Sequence, residues 1–467
     1  MAAGSMLAAA SKFTVRRQPA VLVAPAAPTP RELKLLSDLD DRDSMRVQIA
    51  SIYFYRRNEA MGGEDPARVI RDAVARALVS YYPLAGRLRE HDGGKLAVDC
   101  TAEGVLFVQA DADVGLEHFG DALLPPFPCI EELIFDVPGS SAILNTPLLL
   151  FQVTRLACGG FILAVRENHT MADAQGLTQF LVTVAELARG AQAPTVPPVW
   201  ERELLLARNP PQPPVLNNLN NQQVPPDSSN TNKAQGQGSS SSIMLPPDNE
   251  LTLRSFFFGP HEVAAIRAQL PTHLQERATR FDAVAGWLWK SRTLALAPAD
   301  PNEAMSLLVV VNARGRGKYI PAGYYGNAFA VPAAVSTAGE LRANPVGYAV
   351  ELVKKAKDEV NGMEYMRSAA DLIALRRGRV VPRVIPGPAT YSLSDMARAR
   401  FDDLDFGWGK PVYGGPSEAV GSPALPWIAS FLIPFKDGVV VPVCLPGLAM
   451  DRLVEEMDKL KLPASAL

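Results

Sequence analysis

The chain has 467 residues, of which 48% are hydrophobic and 20% charged, with a formal net charge of −3. This is the balance of a soluble globular chain with core enough for two domains or one double-domain unit. It lacks the basic excess of a nucleic-acid or anionic-membrane binder, and no apolar stretch reaches the roughly 18–20 residues of a membrane span.

The N-terminus, Met1 to Arg17, is rich in small residues but lacks the basic, apolar and cleavage regions of a signal peptide in their usual order. Cys100, Cys129, Cys158 and Cys444 are scattered without C-x-x-C spacing, which reads as reduced, intracellular thiols. Leu148 to Leu156 and Phe161 to Arg166 are strand-like, and Gly159-Gly160 between them predicts a hairpin. Leu177, Phe180, Leu181, Val184 and Leu187 then recur at helical spacing, with Gly190 as the stop. His169-Thr170-Met171-Ala172-Asp173 falls between that strand and that helix, where a core residue can reach into a cleft.

Asn209 to Glu250 carries Pro210-Pro211, a polar run from Asn217 to Gln223 and Ser239 to Ser242, with few apolar residues. Such a composition buries too little surface to offset its ordering entropy. It reads as an exposed crossover between an N-terminal domain, 1–208, and a C-terminal domain, 251–467. In the second half, Phe281 to Trp289 looks helical and Leu307 to Val311 looks like a buried strand. Asp405-Phe406-Gly407-Trp408-Gly409 reads as a tight structural loop anchored by Phe406 and Trp408. Phe431 to Phe435 and Val439 to Val443 flank Asp437-Gly438, a hairpin signal. Ala449, Met450, Leu453, Val454, Met457 and Leu460 mark a final amphipathic helix. Strands and helices mix in both halves, so the class is α/β or α+β. The closing Ser465-Ala466-Leu467 is similar to the peroxisomal address Ser-Lys-Leu without its basic middle residue. A peroxisomal enzyme with an import receptor as partner is one expectation, and a frayed tail on a cytoplasmic enzyme is the alternative.

The chemistry narrows to His169. Histidine titrates near neutrality, so it suits a general base that takes a proton from an attacking hydroxyl. A satisfied core histidine is the competing reading. A metal site is the third, since His and Asp four apart can share a helix face. His91, His118, His261 and His273 show no ligand spacing, so no metal is expected. Asp173 has two candidate tasks: to orient the imidazole, or to pair with an arginine and hold the loop, with Arg314 as a candidate partner. No G-x-S-x-G elbow, Walker loop or dinucleotide glycine fingerprint is present.

His169 to Asp173 and Asp405 to Gly409, in this order and at this spacing, resemble the two signatures of the plant BAHD acyltransferases. Further segments agree with that family. They are Phe13 to Arg17, Pro28-Thr29-Pro30, Leu36 to Asp41, Tyr82 to Arg87, Trp200-Glu201-Arg202, Gly323 to Asn327, Ser394-Asp395 with Arg398, and Val412 to Pro416. The resemblance covers most of the chain except the 209–250 crossover, and it is strongest to the branch that acylates alcohols. It implies a chloramphenicol-acetyltransferase-like fold of two domains with a channel between them and His169 at its centre. It implies acyl-CoA as co-substrate with no bound cofactor, and direct transfer in a ternary complex by a monomer. It implies that Asp173 pairs with an arginine, that Arg314 and Asp405 to Gly409 are structural, and that Thr279, Arg280, Ser394 and Arg398 contact CoA or substrate. Within the branch, benzoyl-CoA and benzyl alcohol or a similar small alcohol are the expected substrates. An N-acyltransferase acting on an amine or polyamine is the alternative, and a non-catalytic binding member is disfavoured by the intact His169 and Asp173. Ala397 and Arg400 depart from the branch, which usually has threonine and glycine there.

Overall fold

Apolar residues on both parities of Phe161–Asn168 demand cover on both faces of the strand they form. The computed structural model describes residues 13–120, 123–136, 143–212, 243, 251–315, 319–376, 387–418 and 426–461. Most of the 209–250 crossover and Ser465-Ala466-Leu467 lie outside these residues. Phe161–Asn168 sits inside a sheet whose strands run, edge to edge, Val15–Arg17, Val105–Ala112, Leu149–Arg155, Phe161–Asn168, Gln48–Tyr55 and Tyr413–Pro416. Val105–Ala112 and Leu149–Arg155 pair in parallel, while Leu149–Arg155, Phe161–Asn168 and Gln48–Tyr55 pair antiparallel in turn. Helices Pro66–Ser80 and Ala174–Ala188 cover one face, packing Ile70, Val74, Leu177 and Phe180 on Phe151, Phe161, Leu163 and Val165. Phe119, Phe127 and Leu133 cover Ile52, Phe54, Ile162 and Ala164 on the other.

The hairpin expected at Gly159-Gly160 is present. Gly159 has φ +82°, and a Cβ on Gly160 would stand 2.4 Å from the Tyr55 carbonyl oxygen. Only glycine meets both demands. The helix Ala174–Ala188 ends before Gly190, as its spacing predicts.

A second sheet runs Leu251–Phe258, Gly438–Pro446, Ala429–Phe435, Thr390–Asp395, Ala304–Val309 and Ala333–Thr337. Helices Arg280–Leu296, Val346–Glu359 and Gly447–Lys459 pack together beside it. The hairpin joining Ala429–Phe435 to Gly438–Pro446 turns one residue earlier than Asp437-Gly438 suggests. Phe435 pairs with Gly438, and the left-handed residue is Lys436, with φ +51°. Gly438 is needed for a different reason, since a Cβ there would meet the Phe258 carbonyl oxygen at 2.4 Å.

The two cores do not follow the division of the chain at 209–250. After Thr390–Asp395 the chain leaves the second sheet, and Ala399, Phe401, Leu404, Phe406 and Trp408 enter the core of the first. Tyr413–Pro416 then pairs antiparallel with Gln48–Tyr55 as the edge strand of the first sheet. Within this segment Asp405 Oδ1 accepts from the backbone N–H of Gly407 and of Gly409, each at 2.8 Å. Both glycines have positive φ, +112° and +90°. The turn aims Phe406 edge-on at Tyr55, at 5.8 Å, and Trp408 edge-on at Phe161, at 5.4 Å. Asp405 to Gly409 is thus a strap that ties the C-terminal half of the chain to the N-terminal core.

Candidate active site

His169 follows Phe161–Asn168 directly and is half-buried. Its backbone N–H donates to Val47 O at 2.9 Å, and its carbonyl accepts from Asn327 Nδ2 at 2.8 Å. The ring is fixed by a contact of 2.9 Å between Nδ1 and the Ala172 carbonyl oxygen. A carbonyl only accepts, so Nδ1 carries the proton of the neutral ring and Nε2 keeps the lone pair. Burial pulls the imidazole below its ordinary value of 6.5, opposed by the Ala172 bond and by Asp173 and assisted by the Arg42 charge. The neutral form that can accept a proton therefore prevails at neutral pH.

Asp173 caps the helix Ala174–Ala188, its Oδ1 accepting from Gly176 N–H at 2.9 Å. Its Oδ2 accepts from Arg314 Nη1 at 2.8 Å and from Ala328 N–H at 3.0 Å. Burial opposes its ionisation, yet the Arg314 charge and these bonds hold the carboxyl below the usual range. Of the two tasks open to Asp173, the geometry is that of the arginine pair. Arg314 also donates through Nε to Tyr324 O at 3.1 Å and through Nη2 to Gly326 O at 2.5 Å. One guanidinium thus ties the start of the helix Ala174–Ala188 to the Gly323 to Asn327 segment.

Beneath the His169 loop lies a second, fully buried ion pair, Arg202 Nη1 to Asp40 Oδ1 at 2.8 Å. Asp40 Oδ1 also accepts from Asn327 N and Nδ2, each at 2.9 Å, and Arg202 Nη2 donates to Met171 O at 2.7 Å. The Arg202 guanidinium lies 4.5 Å from the Trp200 ring and 5.1 Å from the Tyr325 ring. A Cβ on Gly326 would stand 1.8 Å from Arg202 Nη1. Three segments distant in sequence (Leu36 to Asp41, Trp200 to Arg202, Gly323 to Asn327) therefore meet on one charge pair that holds the His169 loop from below.

The other residues singled out by sequence sit elsewhere. Thr279 is the N-cap of Arg280–Leu296, in a reciprocal box with Asp282: Thr279 Oγ1 to Asp282 Oδ2 is 2.8 Å, and Asp282 N–H to Thr279 Oγ1 is 3.2 Å. Arg280 is the first residue of that helix. Ser394 lies on Thr390–Asp395, opposite Phe431, and Arg398 is exposed in the turn Met396–Arg398. None of the contacts described for these four residues reaches His169 or Asp173. Arg400 has φ +58° and donates through Nε to Asp403 at 2.6 Å. A left-handed backbone of this kind favours glycine.

Sequence reasoning did not single out Arg42, Glu167 or Phe329. The Phe329 ring faces the His169 imidazole at 6.2 Å and 28°, and the Arg42 guanidinium lies 4.5 Å over that same ring. Glu167 is buried two residues before His169; burial and the neighbouring Asp173 charge push its carboxyl well above the ordinary range. These residues carry no local motif and become neighbours of His169 only in the fold. Among the described residues no cluster of three or more His, Cys, Asp or Glu side chains could hold a metal ion, and no helix is long and apolar enough to cross a membrane.

Known proteins resemble this chain in sequence and in fold. The Transferase family model matches residues 13–460. The chain is similar to benzyl alcohol O-benzoyltransferase of Petunia hybrida, 54% identical over 96% of this chain and 94% of that one. It is 53% identical to benzyl alcohol O-benzoyltransferase of Nicotiana tabacum, over 96% and 93% of the two chains. Its fold is similar to that of vinorine synthase, with a TM-score of 0.71 at 21% identity over 96% of this chain and 98% of that one. Fold and family define an acyltransferase with the chloramphenicol-acetyltransferase-like architecture. The chain belongs to the BAHD acyltransferase family.

Proposed function

We propose that this chain is an acyl-CoA-dependent alcohol O-acyltransferase that moves benzoyl, or a similar aromatic acyl group, from CoA to benzyl alcohol or another small alcohol. The names of the two relatives above support the substrates. The observation that carries the chemistry is the Nδ1 bond of His169 to Ala172 O, which leaves Nε2 as the proton acceptor. The acceptor hydroxyl gives its proton to Nε2 as its oxygen attacks the thioester carbon. The tetrahedral intermediate collapses, the C–S bond breaks, and the imidazolium returns the proton to the CoA thiolate. Asp173 acts through position: it caps the helix and binds Arg314, which keeps the His169 loop in register. No activated serine or cysteine is needed in this route, because both substrates are bound when the bond forms.

The test is a matrix of initial rates in which benzoyl-CoA and short-chain acyl-CoAs are each paired with benzyl alcohol, small primary alcohols and amines. Benzoyl-CoA with benzyl alcohol is expected to be among the fastest pairs. Neighbouring alcohols should follow within about 10–200-fold, because apolar pockets discriminate weakly between compounds differing by a methylene. Faster transfer to amines than to every alcohol would replace this reading with N-acylation.

A further inference from the structure

Arg42 precedes the turn Asp43–Met45, and its side chain makes no capping bond there. Its Nε and Nη2 are buried without a hydrogen-bond partner. Leaving a buried donor on a charged group unpaired forfeits its hydration with no return, so such groups call for an explanation. The two carboxylates whose charge it feels, Asp40 and Asp173, are committed elsewhere, to Arg202 and Asn327 and to Arg314, Gly176 and Ala328. Burial draws the Arg42 guanidinium down to about 10, against the pull of those carboxylates, so it stays charged at neutral pH. The result is a half-buried cation with two spare, buried donors, close enough to the general base for its charge to act on the imidazole.

Its position is set by Phe329. That residue lies on the short strand Phe329–Ala330, directly opposite Asn312, two residues before Arg314. The same aromatic ring carries the Arg42 guanidinium at 4.5 Å and faces the His169 imidazole at 6.2 Å. The N-terminal half of the chain supplies Arg42 and His169, and the C-terminal half supplies the ring that both approach.

We infer that Arg42 is a further catalytic residue, one that donates from its free guanidinium N–H groups to the thioester oxygen as that oxygen becomes an oxyanion. The inference rests on the acyl-transfer reading above. The reacting centre of that reaction offers two oxygens. The hydroxyl oxygen is served by His169, so the thioester oxygen is the acceptor left for a neighbouring donor. As the alcohol oxygen bonds to the carbonyl carbon, the C=O π pair moves onto oxygen and Arg42 hydrogen-bonds the new charge. When the pair returns, the C–S bond breaks and the sulfur takes the proton from His169; Arg42 keeps its own protons throughout. A preorganised donor in a water-poor site is where such stabilisation is largest.

The experiment compares Arg42→Gln, Arg42→Lys and Arg42→Met with the parent, using the acyl-CoA and alcohol pair that the parent turns over fastest. If the parent turns over no such pair, the proposed function fails and Arg42 is not the cause. With an active parent, Arg42→Gln and Arg42→Met should lower kcat by about 10²–10³, the effect of losing one oxyanion donor. KM for both substrates should change little, and Arg42→Lys should keep part of the rate. Arg42→Met should melt no lower than the parent, because it removes an unpaired buried charge. Unchanged kcat in Arg42→Met would overturn the inference. So would a loss confined to KM for alcohols bearing a second polar group, or a loss that follows melting temperature across the three variants.

Discussion

His169→Ala should lower kcat by about 10²–10⁴, the range that positioned general acid–base catalysis supplies. CoA binding should survive, because the residues that hold the loop are backbone partners and the Arg314–Asp173 pair rather than the imidazole itself. The pH dependence fixes the role further. Burial sets the imidazole below its ordinary value, and only the neutral ring can take a proton. In the parent, kcat/KM should therefore be level at neutral pH and above and fall on the acid side, with a midpoint lower than 6.5. That acid limb should vanish with His169→Ala while the residual rate stays nearly level. Near-parent turnover in the variant, or an acid limb that persists without the imidazole, would move the base elsewhere.

Breaking the buried pair beneath the loop is the second large effect. Arg202→Met leaves Asp40 charged and buried, and Asp40→Ala leaves Arg202 so; each should cost about 3–5 kcal/mol in a urea titration. Asp40 Oδ1 gathers Arg202 Nη1 and both nitrogens of Asn327, and Asn327 in turn holds the His169 carbonyl. Activity per folded molecule should fall along with stability. The double variant should lose less than the sum of the two singles, since neither charge is then stranded. A midpoint shift worth less than about 1 kcal/mol in both singles would show that water or local relaxation compensates each charge.

Much of the site could be read from local pattern. The strand into His169 and the helix after Asp173 are set by apolar spacing, and both signatures fall where turn chemistry places them. Arg314 was a candidate partner for Asp173, and the ion pair is 2.8 Å long. The Asp405 turn follows from one carboxylate and two glycines with positive φ. Its destination did not follow. Phe406 and Trp408 are buried against Tyr55 and Phe161, some 350 and 250 positions earlier, and no local rule links them. The same limit hid Arg42 and Phe329, which come from opposite halves of the chain and meet each other near His169. Thr279 shows the converse. Its polarity at a helix start is accounted for by the capping box with Asp282, whereas the family resemblance implies a contact with CoA.

Direct transfer is the core of the account, and thiol release in the absence of acceptor tests it. Enzyme is mixed with excess benzoyl-CoA, free CoA is followed by a thiol reagent, and benzyl alcohol is added afterwards. No release at the level of the enzyme concentration is expected until alcohol is present, then CoA and ester in equal amounts, with the protein mass unchanged throughout. A burst of CoA before alcohol is added, accompanied by a protein heavier by one acyl group, would contradict it.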